Sequence, residues 1–110
     1  MKKTIATIGC ILLTSIGFAQ SKNAKVQVEV KGNCGMCKSR IEKAAFSVKG
    51  VKDAKWDEST LQLSLVLDET KTDLKKVEEA VTKAGHDTGS MRAEDEVYTN
   101  LHGCCKYERD

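Results

Sequence analysis

Residues 25–48 read KVQVEVKGNCGMCKSRIEKAAFSV, and this stretch decides the fold. Its first part alternates Val26, Val28 and Val30 with Gln27, Glu29 and Lys31, the period of a half-buried strand. Its last part places Ile41, Ala44, Ala45 and Val48 at i, i+3, i+4 and i+7, one face of an amphipathic helix from about Met36 to Val48. Between them lies Cys34-Gly35-Met36-Cys37, a CxxC. Cys34 then falls in a loop and Cys37 in the first helical turn. Unpaired backbone N–H groups and the positive end of the helix dipole favour thiolate over thiol at such a place. Thiolates bind soft metals and attack disulfides, so the position offers metal capture and redox exchange.

Working outward, Gly50 suits the left-handed turn after a helix. Val51–Trp56 and Leu61–Leu67 follow as strand-like runs around the polar turn Asp57-Glu58-Ser59-Thr60, which reads as a hairpin. Thr72 or Asp73 can cap a second helix, with Leu74, Val77, Val81 and Ala84 as its apolar stripe and Gly85 as its end. Thr88 to Ala93 is expected to form a short last strand. Trp56 and Phe46 read as packing residues. The order is β-α-β-β-α-β, an α+β ferredoxin-like sandwich: a four-stranded antiparallel sheet with two helices on one face. The expected layout is a linker over 20–24, a domain over 25–93 and a tail over 94–110. In the tail, Val97, Tyr98 and Leu101 share one helical face and suggest that it packs.

The first residues read as targeting rather than fold. Met1-Lys2-Lys3 is a basic start, Thr4 to Phe18 is uncharged and largely apolar, and Gly17-Phe18-Ala19 suits cleavage after Ala19. Residues 1–19 are therefore expected to be a signal peptide; the competing reading is an uncleaved anchor. The apolar run is about 15 residues, short of the ~20 that a spanning helix needs. Cys10 lies inside it, where lipidation is not expected. Losing Lys2 and Lys3 lowers Lys+Arg from 18 to 16, against 16 Asp+Glu. A net charge of zero argues against nucleic acid as a partner and against stable membrane attachment after cleavage. No motif for nucleophilic, phosphate or paired-carboxylate catalysis is present, and an enzyme is not expected.

A CxxC after the first strand of a small βαββαβ unit resembles the heavy-metal-associated domain family. That family includes copper chaperones, soluble domains of metal-pumping ATPases and periplasmic mercury-binding proteins. The resemblance covers about Lys25 to Ala93. It implies that Cys34 and Cys37 hold a soft ion, Cu(I) first, and pass it to another metal-binding protein or to a metal-transporting ATPase or efflux component. Zn(II), Hg(II) and Cd(II) also accept thiolates. Family members commonly carry Met two residues before the first cysteine; here that residue is Gly32. The loop after the second helix carries Lys, Tyr or His in the family, and here it presents His86, a third ligand or supporting group by that resemblance. The exported form also resembles small periplasmic proteins of Gram-negative bacteria.

Cys104 and Cys105 are adjacent, so a bridge between them would close a strained ring. They are read as extra metal ligands folded over the loop, as partners for a bridge to Cys34 or Cys37, or as incidental thiols of a loose tail. Together with Cys34 and Cys37 they would make a four-thiolate Zn or Cu storage or sensing site, to which His86 or His102 could add. Met36 offers a thioether, and Lys38 offers a charge beside the thiolates. The remaining readings are a small periplasmic thiol–disulfide protein and a plain interaction module whose cysteines merely staple the tail. Against a thioredoxin-like version stands the absence of proline, since that fold needs a cis-proline opposite its CxxC.

Overall fold

The structure is a computed structural model and describes residues 21–109. The expected signal peptide lies outside the described residues.

The alternating leucines of residues 61–67 build the centre of the sheet. Strand β3 (Gln62–Leu67) buries Leu63, Leu65 and Leu67 and is flanked by β1 (Ala24–Glu29) and β2 (Val51–Trp56), giving the order β1-β3-β2. Both pairings are antiparallel. β1 runs from Ala24 opposite Leu67 to Glu29 opposite Gln62. β2 runs from Val51 opposite Leu67 to Trp56 opposite Leu63, with an irregularity between Val51 and Asp53. The hairpin turn is held by Asp57, whose Oδ1 accepts from the Ser59 N–H at 2.8 Å and the Thr60 N–H at 3.3 Å. Leu61 leaves this turn with φ +62°, an uncommon conformation for a branched residue.

Helix α1 (Gly35–Phe46) follows the CxxC loop and turns Cys37, Ile41 and Ala45 inward. Helix α2 (Leu74–Lys83) starts at Asp73, whose side chain accepts from the Lys76 N–H at 2.9 Å, so Asp73 and not Thr72 is the cap. Val77 and Val81 join Ile41, Ala45 and the leucines of β3 in one core. Gly85 follows α2 with φ +107°. The helix–sheet sandwich is therefore the expected α+β arrangement. No helix among the described residues is long and apolar enough to cross a membrane.

The expected fourth strand over Thr88 to Ala93 is not formed. One bridge, Val30 opposite Thr88, stands in its place, with the Lys31 N–H on the Asp87 carbonyl and the Gly89 N–H on that of Glu29. Beyond that point the chain bends, because a local turn and side chains take the groups a ladder would use. The Thr88 N–H turns back to the Met91 carbonyl, and the Ala93 N–H goes to Asp87 Oδ1 at 2.7 Å. The Thr88 and Ser90 hydroxyls both donate to buried Glu78. Phe46 also departs from expectation. It is 49% exposed, because the inward face of α1 is the one carrying Ile41 and Ala45.

The tail packs. Helix α3 (Asp95–Thr99) and a 3-10 turn at Gly103–Cys105 carry it back across the end of the domain where the CxxC lies. Leu101, Cys105 and Tyr107 are buried with the core, and Val97 and Tyr98 are half-buried.

Candidate metal centre

The loop geometry begins beneath the cysteines. Gly32 is buried, and a Cβ there would lie 3.1 Å from the Cys37 Cβ and 3.1 Å from two ring carbons of Trp56. The indole thus fills the space under the loop, and its N–H donates to the Val30 carbonyl at 2.9 Å. The residue that takes the place of the family's methionine is small because Trp56 already occupies that volume.

Cys34 stands in extended conformation just before α1, at its N-cap. Its Sγ lies 3.8 Å from that of Cys37, and both thiols are free. The Cys34 thiol is held below its ordinary pKa, chiefly by the backbone N–H of Cys37. Partial burial opposes this, and the Met36 N–H and the neighbouring thiols of Cys37 and Cys104 add to it. The helix start therefore acts on Cys34 as the sequence implied. Lys38 does something else. Its ammonium binds Glu42 at 2.6 Å and the Trp56 carbonyl at 2.9 Å, while Glu42 also accepts the Trp56 N–H. It fastens α1 to the end of β2. Burial pushes the Glu42 carboxyl up, but Lys38 and that N–H outweigh it and leave it low.

The tail brings its cysteines to the same place. The sulfurs of Cys34, Cys104 and Cys105 all lie within 4.8 Å of one another. Cys104 and Cys105 Sγ are 4.0 Å apart, the Cys34 thiol donates to the Cys104 carbonyl at 3.5 Å, and the Cys104 thiol reaches Met36 Sδ at 3.8 Å. Cys105 is fully buried. Burial first, and then the thiols of Cys37 and Cys104, push its own thiol far above the ordinary range. Cys104, by contrast, is exposed. Cys34, Cys104 and Cys105 thus form one group, to which Cys37 is joined through its 3.8 Å contact with Cys34, with Met36 at the edge and 49% exposed.

His86 does not join them within ligand distance. It is fully buried, its Nδ1–H donates to the Lys31 carbonyl at 2.8 Å, and its ring stacks on Tyr107 at 5.6 Å. A carbonyl can only accept, so the proton sits on Nδ1 and Nε2 carries the lone pair. That Nε2 has no hydrogen-bond partner. Burial lowers the His86 pKa and keeps the ring neutral, the Lys31 carbonyl opposing this. His102 is exposed.

Sequence reasoning missed what pins the tail. Arg109 grips buried Asp87 with two hydrogen bonds of 2.8 and 3.0 Å, adds Asp95 at 2.9 Å, and lies 4.4 Å from the centre of the Tyr98 ring. Burial pushes the Asp87 carboxyl up, but Arg109 and the Ala93 N–H outweigh it, so the group stays below the usual carboxylate range. The Tyr107 hydroxyl donates to the Gly85 carbonyl and accepts the Asp87 N–H, both at 2.8 Å, and its pKa is pushed up to about 12, by burial above all. Leu101 packs on Gly85, where a Cβ would come within 2.8 Å of it. The available signal was the pairing of a charged residue with an aromatic one in a stretch otherwise read as polar end.

Residues 27–87 match the family model "Heavy-metal-associated domain". The chain is 33% identical over 85 residues to the mercuric transport protein periplasmic component of Shewanella putrefaciens, covering 76% of this chain and 92% of that protein. Among solved structures it is similar to the CopZ metallochaperone, with 29% identity, a TM-score of 0.57, and coverage of 59% of this chain and 98% of that one. It is equally similar to oxidised MerP from Ralstonia metallidurans CH34, with 28% identity, a TM-score of 0.58, and coverage of 61% and 94%. With the strand–CxxC–helix unit now seen as folded, these matches place the protein: the chain belongs to the heavy-metal-associated domain family.

Proposed function

We propose that this protein is an exported carrier that captures a soft heavy-metal ion, Cu(I) first, on Cys34 and Cys37 and passes it to another metal-binding domain. The observation that carries this reading is the pair of free sulfurs 3.8 Å apart at the start of α1, one of them with its pKa lowered by the helix N–H groups. Soft thiolates suit Cu(I), which accepts two or three of them. Transfer follows by ligand exchange: an acceptor thiolate adds to the ion, and one of the original sulfurs then leaves. Acceptors of fitting chemistry are a similar carrier or the soluble domain of a metal-transporting ATPase.

Hg(II) is the second reading. It is favoured by the mercuric transport relative, which matches more of this chain than the copper carrier does. That relative is named as periplasmic, which agrees with a signal peptide cut after Ala19 and supports periplasmic export. The role is that of a carrier and not of an enzyme.

Anaerobic titration with Cu(I) tests the proposal. The full chain is expected to bind one tightly held ion, and Cys34→Ser together with Cys37→Ser to abolish it. Unchanged stoichiometry in that double variant would end this reading.

A further inference from the structure

The sulfur pair of the CxxC loop leaves a coordination position open on one side. At a metal–sulfur bond of about 2.3 Å, two sulfurs at opposite ends of a linear site stand about 4.6 Å apart, whereas a trigonal site needs about 4.0 Å and a tetrahedral one about 3.8 Å. Cys34 and Cys37 at 3.8 Å are spaced for the latter two. The missing positions are not left to solvent. Cys104 and Cys105, themselves 4.0 Å apart, stand within 4.8 Å of Cys34.

The segment that brings them there is fastened on both sides of the cysteine pair. Before it, Leu101 sits on Gly85. After it, Tyr107 holds Gly85 and Asp87, and Arg109 clasps Asp87. All these anchors belong to one short loop after α2. A tail with incidental thiols has no reason to be tied down at both ends of its only two cysteines.

We infer that residues 101–109 are a thiolate strap: Cys104 and Cys105 complete a closed site of three or four sulfurs over the CxxC loop, and the Asp87–Arg109 clasp governs how readily the ion leaves. This rests on the reading of Cys34 and Cys37 as primary ligands and adds to it the control of release. With the strap down, the ion has its coordination shell filled by this chain and an acceptor has no vacant position to attack. With the clasp loosened, Cys104 and Cys105 withdraw and the loop pair is left two-coordinate. Each copper–sulfur bond formed to the acceptor is then matched by one broken here. The freed cysteine sulfur takes up the proton that the acceptor thiol gives up, and copper remains Cu(I) throughout.

The test uses the full chain loaded anaerobically with one equivalent of Cu(I). X-ray absorption on the unaltered chain counts the sulfurs, and release to bicinchoninate is timed. Three or more sulfurs are expected. A ligand tethered to its site acts at high effective concentration, so Cys104→Ser with Cys105→Ala should release copper at least about tenfold faster, with two sulfurs remaining. Cys104→Ser alone, at an exposed site, should also speed release and guards against misfolding at buried Cys105. Arg109→Ala should keep one copper per chain and yet release it several-fold faster. Two sulfurs in the unaltered chain, with equal release rates in all variants, would overturn the strap while leaving the loop site intact. Copper retained in the Cys34→Ser, Cys37→Ser variant would instead defeat the loop site itself.

Discussion

At the scale of single residues, each cysteine pair has one accessible and one buried member, a difference that chemistry can read. Cys34 is part-exposed with a lowered pKa, while Cys105 is sealed with a raised one. A free thiol titrates near about 8.5. In the metal-free chain, alkylation by iodoacetamide followed against pH should therefore show Cys34 reacting with a midpoint below that value and Cys105 remaining unlabelled until the chain unfolds. Equal labelling of both at neutral pH would contradict the described geometry. Gly32 gives a second expectation. A methyl group there meets Cys37 and Trp56 at 3.1 Å, and overpacking a core commonly costs about 1–3 kcal/mol. Gly32→Ala should lower the unfolding free energy obtained from urea denaturation by an amount in that range, and a neutral result would mean that the loop yields easily. The sequence made the CxxC and its helix-start setting legible at once. It did not reveal why position 32 is glycine, because the reason is an indole contributed from the far end of β2, 24 positions away in the chain.

At the scale of elements, local periodicity served well where burial is one-sided. Alternation in β1 and β3 and the stripe of α2 all reflect a single buried face. It failed at Thr88 to Ala93, where a run of strand-like length is turned aside by side chains. The hydroxyls of Thr88 and Ser90 bind Glu78 on α2, a contact ten to twelve residues away that no period of two announces. It failed for Phe46 for the opposite reason, since an apolar residue on a helix need not be on the inward face. The α2 cap offers a simple check. Asp73→Ala removes the acceptor of the Lys76 N–H and should cost about 1 kcal/mol in chemical denaturation, while Thr72→Ala should not act through capping. An Asp73→Ala variant as stable as the parent would mean that the cap carries no weight.

At the scale of the whole molecule, the tail and the domain share one buried seam around His86, Asp87, Tyr107 and Arg109. The sequence hinted that the tail packs, through Val97, Tyr98 and Leu101. It did not indicate that one loop after α2 holds it, because an ion pair between residues 87 and 109 leaves no local trace. This seam sets the response to acid. The folded pKa of His86 is depressed, so below the ordinary imidazole value near about 6.5 the unfolded chain takes up a proton that the native chain refuses, and stability falls. The folded pKa of Asp87 is also depressed, so its contribution is complete above the ordinary carboxylate value near about 3.9 and is lost as pH falls further through the folded one. Melting temperature against pH should thus decline in two stages, with His86→Gln flattening the first and Asp87→Asn the second. A profile unchanged by either variant would show that the seam does not couple to folding.

The central claim, a soft-metal carrier whose ligands begin with Cys34 and Cys37, is met most directly by one measurement. The protein is expressed in cells grown with added copper and zinc, purified without oxygen, and assayed for metal beside the Cys34→Ser, Cys37→Ser form. About one copper per chain in the parent and none in the variant is the predicted result, since soft thiolates prefer Cu(I). A parent that emerges free of metal with its thiols oxidised would contradict the account and turn it toward thiol–disulfide chemistry.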